Sequence, residues 1–305
     1  MTRCLILGGC GFIGSHLADK LVELGFEVRL FDRLNVDTSR VSHLAGRADI
    51  VEGDFTNEAE VARVLKGVDV VFHLISTTLP ASSNLNPAYD VESNVVSTLR
   101  MLNAALEAKV KKVIFSSSGG TIYGPAETVP IPEDHPTNPI SSYGIQKLVI
   151  EKYFALYNHL YGLEWTSLRP ANPYGERQDP QSIQGAVGVF AAAIKEGRPI
   201  TIWGDGSVVR DYVYVKDVAE AFAWFADHGS PSRVYNIGSG IGTDLNNLIK
   251  LIERASGKKP IVNYQPARKV DIPVNVLDIG RAGRELGWKP RVGLGEGLKR
   301  LFRES

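Results

Sequence analysis

The sequence predicts an α/β fold with a doubly wound parallel sheet, followed by a smaller and discontinuous C-terminal region. Three observations support this prediction. Short apolar, β-branched runs alternate with longer amphipathic segments, a glycine-rich turn follows the first run, and the rhythm changes after about Leu168. Apolar runs separated by helical patterns are typical of βαβ units, whose parallel strands are covered by helices on both faces.

The expected elements follow one another in a regular order along the first part of the chain. Strands are expected at residues 4–7, 27–31, 49–51, 68–73, 112–116 and 165–168. The helical patterns between them cover residues 13–24, 58–65, 87–109 and 142–161. Beyond a loop at 169–175, helices are expected at 183–196 and 246–255, and strands at 200–203, 212–215 and 234–237.

Composition excludes several classes of protein. The 305 residues include 34 basic and 34 acidic side chains, so no net charge attracts nucleic acid or an anionic membrane. The two cysteines, Cys4 and Cys10, are too close together for a useful disulfide. No apolar run approaches the ~18 residues of a membrane span, and the first residues run directly into a strand. We therefore expect a cytoplasmic protein without a metal site.

The glycine-rich turn is the first candidate binding site. Gly8, Gly11 and Gly14 follow the first strand and open the first helix, with Phe12 and Ile13 between them. Glycines in these positions allow a tight turn, a close approach of a pyrophosphate, and close packing of helix on strand. The turn therefore predicts a dinucleotide site of the Rossmann type.

Acidic residues after the second and third strands bear on which dinucleotide binds. Asp32 follows Gly14 by 18 residues, where a carboxylate accepts from the adenosine ribose and repels a 2′-phosphate. This favours NAD, although Arg33 weakens the argument against NADP slightly. Asp54, with Phe55 beside it, could accept from the adenine amine or could instead cap the next helix.

The end of the fourth strand is also expected to approach the cofactor. Leu74, Ile75 and Ser76 follow this strand, and their backbone would lie beside the dinucleotide. His73 comes directly before them, and we expect it to be a packed and hydrogen-bonded histidine.

Tyr143 and Lys147 lie one helical turn apart and suggest proton transfer. A phenol has a pKa near ~10 and is a poor base at neutral pH. A lysine ammonium on the same helix face favours the phenolate, and so does a nearby cationic nicotinamide ring. We therefore expect these charges to lower the pKa of Tyr143.

Hydroxyl groups follow the fifth strand, at the edge where ligands bind in open α/β sheets. Ser116 ends that strand, and Ser118 is the first choice for a hydroxyl that shares the substrate oxygen with Tyr143. Thr121 and Ser117 are its substitutes. The alternative is a serine-rich turn that only caps the strand.

Two arginine motifs lie in the C-terminal region, Arg210 with the residues after it and Arg268 with Asp271. An arginine fork suits a diphosphate bidentately, so these motifs are candidate anion clamps. Ordinary surface ion pairs are the other interpretation.

Together these residues resemble the extended short-chain dehydrogenase/reductase family, and within it the UDP-glucose 4-epimerase-like group. The resemblance covers nearly the whole chain. Its signatures are the turn 8–14 with Ser-His-Leu after it, Tyr143-x-x-x-Lys147, and the segments 168–175, 204–212 and 278–290.

The resemblance implies roles for individual residues. Tyr143 would be the general base and acid, with Lys147 as its electrostatic partner and a ribose ligand. Asn94 would orient the lysine region, and Pro170 would lie beside the cofactor. The residues implied for the nucleotide sugar are Ser118, Asn172, Arg177, Arg210, Arg268, Asp271 and Asn275.

The chain departs from the family pattern at two places. Members carry a serine or threonine four residues before a tyrosine that corresponds to Tyr123, and here that position is Gly119. Some relatives carry a lysine after the fourth strand, where this chain has Ser76 and two threonines. Ser118 remains the first choice for the hydroxyl after the fifth strand because of its separation from Tyr143 along the sequence.

The implied activity is an NAD-dependent epimerase that inverts C4 of a UDP-hexose through a 4-keto intermediate. UDP-glucose and UDP-galactose come first, with UDP-N-acetylglucosamine and UDP-glucuronate as alternatives. A dehydratase or decarboxylase should carry an acid after the fifth strand, where Gly119 and Gly120 stand. A ketoreductase, or a non-catalytic NAD-binding regulator of the same fold, are the further alternatives.

The implied architecture has two parts. Residues 1–170, rejoined by about 211–238, would form an NAD-binding Rossmann domain. Residues 171–210 and 239–305 would form the region that binds the nucleotide sugar. The helices at 87–109 and 142–161 resemble the pair that forms the family's homodimer.

Overall fold

The computed structural model describes residues 1–179, 185–267 and 272–303. The chain divides into two compact units. The first unit comprises Met1–Ile122, Pro139–Arg169 and Ala219–Tyr235. The second unit comprises Tyr123–Asn138, Pro170–Val218 and Asn236–Ser305. Within the described ranges, no helix is long and apolar enough to cross a membrane.

Strands and helices alternate through the first part of the chain, as the sequence predicts. The strands are β1 Arg3–Leu7, β2 Glu27–Asp32, β3 Ala48–Glu52, β4 Val70–His73, β5 Lys112–Ser116, β6 Glu164–Pro170, β7 Asn172–Tyr174, β8 Ile200–Trp203, β9 Val209–Tyr214, β10 Val234–Ile237, β11 Gly242–Asp244, β12 Val262–Gln265 and β13 Val274–Asn275. The helices are α1 Phe12–Glu23, α2 Glu58–Leu65, α3 Pro80–Ser83, α4 Pro87–Asp90, α5 Ser97–Glu107, α6 Ser142–Tyr161, α7 Ala186–Glu196, α8 Val215–Trp224, α9 Leu245–Ser256, α10 Gly280–Leu286 and α11 Leu294–Arg303.

The principal sheet has seven strands in the order β10-β6-β5-β4-β1-β2-β3. The pairs from β6 through to β3 are all parallel. The order reverses between β1 and β4, and in open α/β sheets ligands bind outside the carboxyl ends of the strands at such a point. The predicted doubly wound, Rossmann-type sheet is confirmed.

Most predicted elements are present, but the helix expected over residues 87–109 is interrupted. The helix α4 is followed by a π-helical segment, Val91–Val96, before α5 begins. Within that segment the side-chain nitrogen of Asn94, Nδ2, donates to the backbone carbonyl of Asp90 at 3.0 Å. A side chain that bonds the preceding turn competes with the regular backbone ladder, and such π segments often occur at functional sites.

Aromatic and aliphatic side chains fill the core beside the principal sheet. Phe154 of α6 stacks on Trp165 of β6, with ring centroids 5.9 Å apart and planes 13° from parallel. The ring centroid of Phe115 of β5 lies 5.3 Å from that of Phe154. This packing sets α6 against β5 and β6, and the polar side chains of its first turns therefore lie near the end of β5.

The described residues of the second unit form two small sheets. Strand β9 lies between β11 and β13 and also pairs with β7, while β8 pairs with β12. A separate hydrophobic core packs under them, and it includes Tyr174, Phe190, Ile202, Tyr214, Leu248 and Leu298. Two candidate substrate residues, Arg210 and Asn275, are adjacent partners in the β9–β13 register.

His73 at the end of β4 is buried, with 1% of its surface exposed, and lies between the rings of Phe55 and Phe115. Its Nε2 lies 2.9 Å from the hydroxyl of Thr98, which itself donates to the carbonyl of Asn94. A hydroxyl has one proton, so the ring donates from Nε2. Burial, followed by the charge of Lys147, lowers the pKa of His73 to about 3. The predicted packed histidine is confirmed.

His73 should make the folded protein sensitive to acid. The folded state keeps the ring neutral while the unfolded chain binds a proton below its ordinary pKa of 6.5, so stability is lost as pH falls from 6.5 towards 3. Between pH 7 and pH 5 this loss should be about 2 kcal/mol. Chemical denaturation of His73→Leu at both pH values should show a difference smaller by about that amount.

The exposed His159 supplies the control, since His159→Asn should lose as much stability between the two pH values as the unaltered protein does. An identical pH difference in His73→Leu and in the unaltered protein would contradict the assignment of this loss to His73.

Candidate active site

The glycine-rich turn between β1 and α1 is built by close backbone packing. Gly8 has φ +88°, a conformation that favours glycine, and its amide donates to the carbonyl of Phe31 at 2.8 Å. A Cβ on Gly14 would lie 2.1 Å from the carbonyl oxygen of Gly8. The N-cap of α1 is Gly11, which offers no side chain to the amides of the first turn. Those amides suit an anion such as a pyrophosphate.

Asp32 is fixed beside this turn. One carboxylate oxygen accepts from the amide of Cys10 at 2.9 Å, and the other accepts from the amide of Arg33 at 2.9 Å. Each carboxylate oxygen has further acceptor capacity, which suits the hydroxyls of a ribose. The glycine turn and Asp32 together fit a dinucleotide with an unsubstituted adenosine ribose, as NAD has.

Asp54 is engaged in its own turn. Its Oδ1 accepts from both the amide and the hydroxyl of Thr56, each at 2.8 Å. The alternative prediction that Asp54 caps α2 is wrong, because Asn57 accepts from the amides of the first turn and is the N-cap. Phe55 is buried against the ring of His73. An adenine contact at Asp54 or Phe55 stays a prediction.

The chain after β4 runs against the glycine turn. A Cβ on Gly8 would lie 3.2 Å from the amide nitrogen of Ile75 and 3.3 Å from the carbonyl carbon of Leu74. The hydroxyl of Ser76 donates to the carbonyl of Thr78 at 3.0 Å and lies close enough to the phenol of Tyr143 to affect its pKa. Asn94 accepts from the amide of Thr77 at 2.9 Å and so fixes this segment. The structure therefore brings the predicted residues 74–76 close to both the turn and the tyrosine.

Tyr143 and Lys147 occupy the first turns of α6. The ammonium of Lys147 lies 5.4 Å from the centroid of the Tyr143 ring and donates to the carbonyl of Ser116 at 2.9 Å. The helix approaches the loop after β5 closely, because a Cβ on Gly144 would lie 2.7 Å from the carbonyl oxygen of Thr121. Glycine at residue 144 is thus what allows the predicted pair and the hydroxyl loop to meet.

The pKa of Tyr143 is shifted in the direction opposite to the one expected from the sequence. Burial and the negative charge of Asp90 raise the pKa to about 12, and the nearby hydroxyl of Ser76 lowers it only in part. Burial lowers the pKa of Lys147 to about 8, against the charges of Asp90 and Glu151. The expectation that Lys147 lowers the pKa of the phenol is therefore wrong for the protein's own groups, since burial outweighs the lysine.

The hydroxyls after β5 differ in their surroundings. The oxygens of Ser117 and Thr121 are buried and have no hydrogen-bond partner within the described part of the chain. Ser118, the first choice from sequence, is partly exposed. A buried hydroxyl without a partner is unusual and marks a place where a ligand oxygen could bind. Thr121 also lies next to the first turn of α6, so the structure favours it as strongly as Ser118.

The predicted substrate residues of the second unit gather around β9. Asn172 of β7 donates to the carbonyl of Asp211 at 2.9 Å. Arg210 lies in β9, and its guanidinium donates to the carbonyl of Val209 at 2.8 Å. Asn275 is buried in β13, opposite Arg210 in the register. Asn172 and Asn275 thus lie on two of the strands that pair with β9.

Other predicted residues stand apart from this group. Arg177 has φ +64° and lines a cavity of about 460 Å³ with Gln178 and Lys195. Pro170 is buried at the end of β6. Arg268 and Asp271 lie outside the described residues, so their predicted roles stay predictions.

Sequence reasoning gave no structural role to Asp211, although it named the motif Arg210-Asp211-Tyr212, and it missed Asp90; both are buried aspartates that organise these groups. Asp211 accepts from the amide and hydroxyl of Ser239, at 2.7 and 2.6 Å, and from the amides of Gly240 and Leu277. Asp90 accepts from the hydroxyl of Ser142 beside Tyr143 at 2.6 Å. Asp90 lies four residues before Asn94, a spacing that places both on one helix face and was the available signal.

Comparison with known proteins identifies the family. The model of the NAD dependent epimerase/dehydratase family matches residues 4–238. The chain belongs to this family. It is 38% identical over 304 residues to a UDP-glucose 4-epimerase of Mycolicibacterium smegmatis, with 97% of this chain and 96% of the relative covered.

Two solved structures are similar over nearly their whole length. One is the UDP-glucose 4-epimerase of Thermotoga maritima with UDP-glucose, at a TM-score of 0.93 and 40% identity, covering 99% of this chain and 98% of that one. The other is the Thermus thermophilus UDP-glucose 4-epimerase with NAD, at a TM-score of 0.92 and 34% identity, with the same coverage. The predictions of an extended short-chain dehydrogenase/reductase fold and of NAD as the cofactor are confirmed.

Gly14→Ala should disrupt the dinucleotide site. The added methyl would meet the backbone of Gly8 and Gly9, which cannot move as a flexible side chain would. We expect a loss of about 1–3 kcal/mol in the free energy of unfolding and loss of the bound NAD. Denaturant unfolding, and nucleotide released from heat-denatured protein, measure the two effects.

Gly229→Ala is the matched control, because nothing lies within 4 Å of a Cβ at that position. If Gly14→Ala kept the same NAD content and stability as Gly229→Ala, the close packing of this turn would not matter for the cofactor.

Proposed function

We propose that this protein is an NAD-dependent epimerase that inverts C4 of a UDP-hexose, with UDP-glucose and UDP-galactose as the substrate pair. The observation that carries the proposal is the pairing of Tyr143 with Lys147 near the segment 74–76, which lies against a glycine turn that fits NAD. Similarity to UDP-glucose 4-epimerases over nearly the whole chain supports it. UDP-N-acetylglucosamine and UDP-glucuronate are the alternative substrates.

The chain's own residues would hold the cofactor and the proton. The amides of the turn at 8–14 would bind the pyrophosphate, Asp32 the adenosine ribose, and Lys147 the second ribose. When bound, NAD⁺ supplies a hydride acceptor and a positive charge that favours the phenolate. Asn94 would hold the segment after β4 in place through the amide of Thr77.

Tyr143 would serve as base and then as acid. The Tyr143 phenolate would take the proton of the C4 hydroxyl while the C4 hydride goes to the bound NAD⁺, which leaves a 4-keto sugar. Tyr143 would then give the proton back to the C4 oxygen when the same hydride is returned to the opposite face of C4. A hydroxyl of Ser118 or Thr121 would hold that oxygen during both transfers.

Residues of the second unit would hold the UDP group. Arg210 presents a guanidinium on β9, which suits a diphosphate, and Asn172 and Asn275 lie on the neighbouring strands. Arg268 and Asp271 are proposed for the same task from sequence, and Arg177 for the sugar end. A grip on the diphosphate that leaves the sugar loose would let both faces of C4 be presented in turn.

Competing chemistry has less support from this chain. A dehydratase or decarboxylase should place a carboxylate after β5, where Gly119 and Gly120 stand. A non-catalytic regulator of the same fold would not need Tyr143 and Lys147 together, with the lysine buried at a desolvation cost. A cytoplasmic location stays a prediction.

The protein should epimerise UDP-galactose to UDP-glucose without added NAD. Tyr143→Phe should lower kcat by about a hundredfold or more, since it removes the only phenol proposed for proton transfer, while leaving NAD content unchanged. Coupled assays with the two UDP-hexoses, UDP-N-acetylglucosamine and UDP-glucuronate measure the substrate range. Failure to epimerise any of the four would refute the proposed function.

The same assay separates the two candidate hydroxyls. Thr121→Val removes a buried hydroxyl of matched shape, and Ser118→Ala removes a partly exposed one. The variant that loses about tenfold or more in kcat identifies the group that holds the C4 oxygen. Equal activity of both variants and the unaltered enzyme would exclude both residues.

We also propose a homodimer formed through α6 and the segment that contains α4 and α5. The first unit exposes apolar side chains on α6, with Ile145 at 48%, Leu156 at 43% and Leu160 at 54% exposure. Exposed apolar patches of this kind mark association surfaces. Sedimentation should show a dimer at micromolar concentration that Leu156→Glu converts to monomer, and a monomer for the unaltered protein would contradict it.

A further inference from the structure

We propose that Asp90 is a positioning residue that holds the first turn of α6, and with it Tyr143, in register with the chain after β4. The inference deepens the proposed function and rests on it for its kinetic test. It concerns a residue that does not contact the reacting atoms, but joins the segments that do.

Asp90 is a fully buried carboxylate at the end of α4, with 0% of its surface exposed. Its Oδ2 accepts from the hydroxyl of Ser142 at 2.6 Å. Its Oδ1 accepts from the hydroxyl of Thr78 and from the side-chain nitrogen Nδ2 of Asn94, the latter at 3.1 Å. Among the described residues, every recorded hydrogen bond to this carboxylate comes from a neutral group.

Three parts of the chain therefore meet at one side chain. Thr78 belongs to the loop after β4, Asn94 to the π-helical segment, and Ser142 is the first residue of α6. The positive end of the α6 dipole lies next to the charge and stabilises it. Because a buried carboxylate needs its hydrogen bonds, the contacts to all three segments are maintained together.

The neighbouring contacts point to the same task. The amide of Ser142 donates to the side chain of Asn84 at 2.9 Å, and the amide of Tyr143 donates to Ser83 at 3.0 Å. The N-cap Ser141 accepts from the amide of Gly144 at 3.2 Å. The first three amides of α6 are thus satisfied by side chains, two of them from the segment that contains α3.

Displacing the phenol should lower the catalytic rate, because errors of about 1 Å in the position of a reacting group can lower the rate ~100-fold. The substrate grip proposed for the second unit does not involve this turn. Loss of the Asp90 contacts should therefore lower kcat and leave KM nearly unchanged.

The charge of Asp90 supplies a second readout. In the described part of the chain, the charged groups that act on Tyr143 and Lys147 are Asp90 and Glu151, and the titratable ring of His73 interacts with Lys147. Asp90 disfavours the phenolate, so its neutralisation should lower the pKa of Tyr143 and move the acid limb of the kcat profile to lower pH. Removing only the Ser142 hydroxyl keeps the charge and should not move that limb.

The test compares Asp90→Asn, Ser142→Ala, Ser142→Thr and the double variant Asp90→Asn with Ser142→Ala. We expect kcat to fall about tenfold or more in the first two, with KM within about twofold. Ser142→Thr, which keeps the hydroxyl, should restore most of the rate. The double variant should lose little more than Asp90→Asn alone, since the two residues act through one contact.

Asp217→Asn is the matched control. Asp217 is another buried aspartate, in the second unit, and accepts from the amides of Arg291 and Val292 at 3.0 Å. Like Asp90→Asn, the Asp217→Asn variant alters a buried carboxylate and should destabilise the fold. It should leave both the pH profile and kcat of the folded enzyme unchanged.

Hydrogen exchange provides a readout that does not require activity. The peptide covering the first turn of α6 should exchange at least about fivefold faster in Asp90→Asn and Ser142→Ala, and at the unaltered rate in Asp217→Asn. If the unaltered protein epimerises none of the UDP-sugars, the proposed function fails while this exchange still decides the positioning role. Unchanged exchange, or the same loss of kcat in Asp217→Asn as in Asp90→Asn, would overturn the proposal.

Discussion

The hydrogen bond from the Lys147 ammonium to the carbonyl of Ser116 is the interaction on which the candidate site depends. It joins α6 to the end of β5 in the interior of the protein, where only 2% of Lys147 is exposed. Burial of an ammonium is unfavourable, and it lowers the pKa of Lys147 to about 8. The charges of Asp90 and Glu151 oppose that lowering, so the site needs its acids in order to keep its lysine charged.

The same helix is fixed on the far side of Lys147 by a buried ion pair. Glu151 accepts from the Nε and Nη2 of Arg169 at 3.0 and 2.6 Å, and from the hydroxyl of Ser167 at 2.8 Å. Glu151 belongs to α6 and Arg169 to β6, both in the first unit. Each of the two side chains is 5% exposed. An unpaired member would be costly, so the pair holds α6 on β6 in one register. Tyr143 and Lys147 therefore lie between two contacts with buried carboxylates, one from Asp90 to Ser142 at the start of α6 and one at Glu151 in the middle of the helix.

Much of this arrangement could be predicted from the sequence, because it depends on local patterns. The glycine turn, the strand that ends at Asp32 and the helix over residues 142–161 each follow from spacing and apolar periodicity. The contact of Asp90 with Ser142 could not, since Ser142 lies 52 residues away and nothing local marks the pair. The direction of the pKa shift at Tyr143 also could not be predicted, because the sequence shows the charge of Lys147 but not the burial of the phenol. The break in the helix at Val91–Val96 depends on Asn94 bonding Asp90, which helix propensity does not record.

The raised pKa of Tyr143 has a consequence for how the proposed reaction is controlled. With burial and Asp90 both favouring the neutral phenol, the lysine alone does not produce a base at neutral pH. Each unit by which the pKa falls requires about 1.4 kcal/mol of preferential interaction with the phenolate. A positive nicotinamide beside the ring can supply such an interaction, whereas a reduced and neutral one cannot. The phenol would then be a base when the cofactor is oxidised and an acid when it is reduced, which is the order that an oxidation followed by its reversal needs. In the proposed reaction Asp90 would thus serve both halves, because its charge disfavours the phenolate while its hydrogen bonds would keep the phenol in place.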